Sequence, residues 1–158
     1  MTMHSYQSTE EWLGTREENK GRAKPLTITD SAMRRARAQT EAMLQSGDWG
    51  PALGRHFVSL FMLLHEKVYG VEALEMDSRA CFQAAGMAAK LQKDHFEGDP
   101  GATARFIIWV WEKERADEKW RRENRRDPGR RIGYRLQFGP YKVADYRRQL
   151  EWERGRAR

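Results

Sequence analysis

PALGRHFVSLFMLLHEKVY, residues 51–69, is the stretch on which the fold turns. Leu53, Phe57, Leu60, Phe61, Leu64 and Val68 recur at the spacing of one helical face. Val58, Met62 and Leu63 fill much of the opposite side. A helix that is apolar nearly all round must be packed on several sides, so this segment is expected to be the centre of a helical body. Pro51 suits a first helical position and Gly70 a C-terminal cap.

Working outward, the flanks supply partners for it. Upstream, Thr29 or Asp30 can cap a helix that runs to Ser46 and stops at Gly47, with Met33, Ala36, Thr40, Met43 and Leu44 on one face. Downstream, Asp77 or Ser78 opens a helix to about Phe96. Its Ala80, Ala84, Ala85, Gly86, Ala88 and Ala89 allow another helix to approach closely. Asp99-Pro100 then starts a long helix through about Asn124. The first half of that helix, around Phe106–Trp111, is apolar and expected in the core. The second half, from Glu112, is almost wholly charged and reads as an exposed, salt-bridged projection. Asp127-Pro128-Gly129 ends it as a turn.

The period changes after the turn. Ile132, Tyr134, Leu136 and Phe138 alternate with Arg131, Gly133, Arg135 and Gln137, which is a strand pattern with one apolar and one basic face. A strand needs a partner, and Leu26–Thr29 is the candidate; the alternative is an extended arm lying on helices. Gly139-Pro140 opens a last helix with Val143, Tyr146 and Leu150 on one side. Residues 1–25 read as a polar arm, or as a short helix docked through Trp12. The expected architecture is mainly α: an irregular four- to five-helix bundle over residues 26–158, with a small strand element and a short C-terminal helix.

Charge is unevenly distributed. Residues 1–100 hold 12 Lys/Arg against 14 Asp/Glu, and the remainder of the chain holds 17 against 9. The excess is concentrated between Lys119 and Arg135, where eight of seventeen residues are Lys or Arg. Lys119, Arg121, Arg122, Arg125, Arg126, Arg130, Arg131 and Arg135 are the candidate phosphate contacts, because the planar guanidinium pairs bidentately with phosphate. Trp120 and Tyr134 lie among them and can stack on unpaired bases. Such a set suits backbone contact more than base reading, with DNA the more expected ligand. A solubilising basic surface, or a seam for an acidic protein partner within a nucleoprotein complex, is the competing interpretation.

Chemistry beyond binding finds little support. His65-Glu66 lacks a second histidine four residues on, so no metal-ligand set is expected. Cys81, the single cysteine, sits beside Phe82 in the alanine-rich helix, where a buried thiol is the default. A lone cysteine suits a reducing cytoplasm. No catalytic residues and no cofactor are assigned. No apolar run reaches the ~20 residues of a membrane span, and Met1–Asn19 is neither a signal nor a transit peptide.

From Lys119 onward, the aromatic-basic helix end, the run Arg131–Phe138, then Gly139-Pro140 and Val143…Tyr146-Arg147 resemble the C-terminal ends of some phage and prophage replication accessory proteins. The resemblance implies a small mobile-element protein that touches DNA and a replication partner.

Overall fold

A computed structural model describes residues 27–127, 129 and 131–156. The 1–25 arm and its Trp12 helix lie outside the described residues, as do Leu26 and Arg130. The described elements, in order, are α1 (Asp30–Ser46), α2 (Gly54–Tyr69), a 3-10 turn (Val71–Ala73), α3 (Ser78–Phe96), α4 (Pro100–Glu123), α5 (Tyr134–Phe138), a second 3-10 turn (Pro140–Lys142) and α6 (Val143–Arg156).

Helix α2 is the hub, packed against α1, α3 and α4. Phe57, Val58, Leu60 and Phe61 are all fully buried. It starts at Gly54 rather than Pro51, and Ala85 of α3 shows why glycine stands there. A Cβ on Gly54 would lie 2.6 Å from the Ala85 carbonyl oxygen. The expected close approach of the small-residue helix is therefore made by backbone on backbone, with Cys81, Ala84, Ala85, Ala88 and Leu91 of α3 buried.

Caps set the helix ends as the sequence indicates. Thr29 Oγ1 accepts from the Ala32 amide at 3.1 Å. Asp77 Oδ1 accepts from Ala80 at 2.8 Å, and Asp99 Oδ1 from Gly101 at 2.9 Å. Each satisfies an amide left open by the first helical turn. At its start α2 uses His56 instead, whose Nδ1 accepts from the Leu53 amide at 2.9 Å while Nε2 lies 2.8 Å from Gln39 Oε1 of α1. This pattern requires the neutral imidazole, and burial lowers the His56 pKa to about 4.

Two aromatic groups complete the core. Phe61 meets His65, Trp111 and Phe138, with ring centroids 5.7–5.8 Å apart. Phe106 meets Phe96 and Tyr146, fixing α6 against α3 and α4. Val143 and Tyr146 of α6 are buried, as their spacing predicts. Past Leu150, every residue of α6 from Glu151 to Arg156 is exposed.

Two expectations are corrected. No strand occurs among the described residues. Residues 131–133 have no regular structure, with Gly133 extended, and Tyr134–Phe138 form a helical turn and a half, opened by Gly133 with a Gln137 N–H···O=C Gly133 bond of 3.0 Å. A helix satisfies backbone groups of this segment locally, as the Gln137 amide shows. The alternation misleads because Gln137, assigned to the polar face, is fully buried beside Phe138.

The second correction concerns α4. Its distal half is not a wholly exposed projection. Glu114 and Glu118 are buried at 7% and 9% exposure. They continue the stripe of Ile107, Val110 and Trp111 by steps of three and four, so the same face turns from apolar to ionic as it leaves the core.

Candidate nucleic-acid interface

The basic stretch begins on the last turns of α4 and is built on the ionic continuation of its buried face. Arg121 Nη2 lies 3.0 Å from Glu114 and 2.8 Å from Glu118, and its side chain is 18% exposed. Arg122 reaches the other Glu118 oxygen at 3.1 Å but stays 63% exposed. The paired guanidinium groups hold the Glu118 carboxyl below its ordinary range, Arg121 first. The same two acids, Glu118 and then Glu114, raise the Arg121 pKa.

Glu114 has a second partner. The Tyr69 hydroxyl donates to it, and that hydroxyl in turn accepts the Ile132 amide N–H at 3.1 Å. Burial, reinforced by this bond to Glu114, pushes the Tyr69 phenol well above its usual pKa. The loop after α4 is thus tied to the C-terminal end of α2. It also folds back over Arg121: a Cβ on Gly129 would stand 3.2 Å from Arg121 Nη1.

The turn between these points has a defined form. The Arg126 amide donates to the Arg121 carbonyl at 2.9 Å and the Arg125 amide to the Arg122 carbonyl at 3.4 Å. Arg125 has φ of 50°, in the left-handed region. This is the paired 6→1 and 5→2 closure of a helix C-terminus, with arginine where glycine is the favoured residue. Asn124 adds a side-chain bond to the Trp120 carbonyl at 2.9 Å.

The candidate residues are distributed as follows. Lys119 is 77% exposed, with Glu123 at 3.9 Å. Trp120 is 55% exposed. Arg122 sits at the α2 end, its Nη2 3.4 Å from the Val68 carbonyl. Arg125 and Arg126 are exposed at the α4 terminus. Arg131 is exposed with its guanidinium 5.4 Å from the Tyr69 ring centre. Tyr134 donates to Gln83 of α3 at 2.8 Å, and Arg135 lies 5.5 Å from the Tyr134 ring.

The structure therefore brings Arg122 and Arg131 to one helix end, places Arg125 and Arg126 at another, and puts Arg135 with Tyr134 against α3. It removes Arg121 from the available set: its guanidinium is committed to two carboxylates beneath the loop. Tyr69, Glu114 and Glu118, which the sequence reading left out, are the framework. The spacing of Glu114, Glu118 and Arg121, four and then three, was the available signal.

Elsewhere, the Cys81 thiol is buried and desolvation pushes it up to about 11. Among the described residues, no group of three or more His, Cys, Asp or Glu is arranged to hold a metal ion. None of the described helices is long and apolar enough to cross a membrane. No known protein family, curated protein or solved structure matches this chain.

Proposed function

We propose that this protein is a non-catalytic nucleic-acid-binding protein, with DNA the preferred ligand, acting as an accessory factor of a phage or other mobile element. Exposed Lys119, Arg122, Arg125, Arg126, Arg131 and Arg135 contact phosphates, together with Arg130, and Trp120 offers a stacking surface. Arg121 serves the interface by holding the loop in place. One observation carries this reading: the exposed arginines stand on backbone pinned to the core at Tyr69 and over Arg121. Cations held in position lose less freedom on binding than cations on a free tail.

Salt dependence tests it. Neutralising about five phosphates releases their counterions, so affinity for duplex or single-stranded DNA should fall roughly 10²- to 10³-fold between 50 and 200 mM salt. An affinity that is flat over this range rules the reading out. Parallel titration of RNA decides the ligand.

A second reading, a protein-interaction module within a nucleoprotein complex, is favoured by aromatic exposure elsewhere. Tyr141 is 71% and Trp152 56% exposed, with the Arg156 guanidinium 4.7 Å from the Trp152 ring centre. If the purified protein binds nucleic acid only when a partner is added, this second reading holds.

A further inference from the structure

Where Arg131 crosses the end of α2, the surface opens into a shallow cleft of about 540 Å³ lined by Tyr69, Gly70, Val71, Ala73 and Arg131. Val71 is 74% exposed, an aliphatic side chain with little over it. Gly70, with φ of 109°, turns the chain out of α2 and sets Val71 on the rim. Arg131 is held over the Tyr69 ring, and the adjacent Ile132 amide is bonded to the Tyr69 hydroxyl, which fixes the backbone beside the cation. Arg122, on the Val68 carbonyl, puts a second exposed cation at the same helix end.

An apolar rim beside a fixed guanidinium matches a ligand with one flat apolar face and one anionic group. We infer that the cleft takes a single unpaired nucleotide of a bound strand, its base against Val71 and its phosphate on Arg131 and Arg122. This rests on the nucleic-acid reading of the basic surface and deepens it, because it makes a single strand or frayed end the preferred ligand. In a closed duplex the base faces are covered by their neighbours, so phosphates alone can reach the cleft. An acidic peptide carries the charge without the flat face.

The test is a set of fluorescence-anisotropy titrations on the full chain at fixed salt. They use a short labelled single strand and the blunt duplex of the same sequence, with Val71→Ser, Val71→Trp and Arg131→Gln. Covering an aliphatic side chain with a base face is worth about fivefold in affinity by the apolar area removed from water, and stacking on an aromatic ring at least as much. Val71→Ser is therefore expected to weaken single-strand binding about fivefold, and Val71→Trp to strengthen it by a similar factor, with duplex affinity within twofold for both. Arg131→Gln should weaken both ligands. The exposure of Val71 leaves the fold intact in either variant, which thermal melting verifies. If the Val71 variants change neither ligand, or change both equally, the nucleotide cleft is overturned while the basic interface stands. Failure of every nucleic acid to bind overturns both.

Discussion

The amide of Ile132 donates to the hydroxyl of Tyr69, 63 residues earlier in the chain, at 3.1 Å. This bond joins the basic loop to the central helix. Tyr69 passes the connection on to Glu114, so one phenol serves two elements at once. In Tyr69→Phe the ring packing against His65 and Trp111 is retained, but a buried amide and a buried carboxylate each lose a partner. Each unsatisfied group costs ~1–3 kcal/mol. The expected loss is about 2–3 kcal/mol in denaturant unfolding, with faster amide exchange at Ile132. Unchanged exchange there would show that the loop is held by other means.

Arg121 and Arg122 are neighbours in sequence with opposite expected behaviour. Replacing Arg121 by Ala leaves Glu114 and Glu118 buried without their shared cation. Breaking such a pair costs ~3–5 kcal/mol when fully buried, and about 2–4 kcal/mol is expected here because the Arg121 side chain is 18% exposed and Glu118 keeps Arg122. Arg122→Ala removes a mostly exposed cation and leaves Glu118 paired with Arg121, so stability should change by no more than ~1 kcal/mol. Its effect is expected in DNA affinity instead. Equal effects of the two substitutions on stability would contradict the internal role of Arg121.

Arg125 occupies a left-handed position that glycine adopts without strain. Arg125→Gly should therefore raise stability by about 1 kcal/mol. At the same time it removes an exposed cation, and the slope of log affinity against log salt should become shallower by about 0.9. A rise in stability with unchanged salt slope would separate Arg125 from the ligand surface.

Acid should weaken the fold before the carboxylates titrate. The folded-state pKa of His56 is about 4 against an ordinary 6.5. The unfolded chain thus takes up a proton between those values and the folded protein does not. The His56 contribution is complete above pH 6.5 and is lost as pH falls towards 4, at ~1.4 kcal/mol per unit. His65, also lowered by burial and by the charge of Arg131, acts in the same direction. Chemical denaturation across this window should show the slope, and His56→Gln should reduce it. A flat profile in the unaltered protein would exclude a buried neutral His56.

How much of this was legible follows from the range of each interaction. Thr29, Asp77, Asp99 and Gly47 mark helix ends through bonds made within a few residues, so sequence spacing reveals them. The continuous apolar character of Phe57–Leu64 likewise declares a buried helix. The segment from Arg131 to Phe138 could not be read this way. Its alternation fits a strand, whereas Gln137 of the polar set is fully buried and the segment closes a helical turn. The candidate site was half visible. Charge density locates Lys119–Arg135, but a count of arginines cannot distinguish Arg121, which faces two carboxylates under Gly129, from Arg122 one position on. That distinction depends on Tyr69, fifty-two residues before Arg121, and on a helix face that changes character at Glu114.

The folding-back of the loop over Arg121 has a further consequence for how the chain withstands cleavage. Trypsin-like proteases need several residues in extended form around an arginine, and the closure at Arg125 and Arg126 denies them that shape until the loop lifts. Nicking at this point then reports the opening of one local unit rather than unfolding of the helices beneath it. A polyanion lying across the loop would slow the cut, and loss of the Tyr69 hydroxyl would hasten it. Digestion rate thus provides a clock for how firmly the basic edge is held.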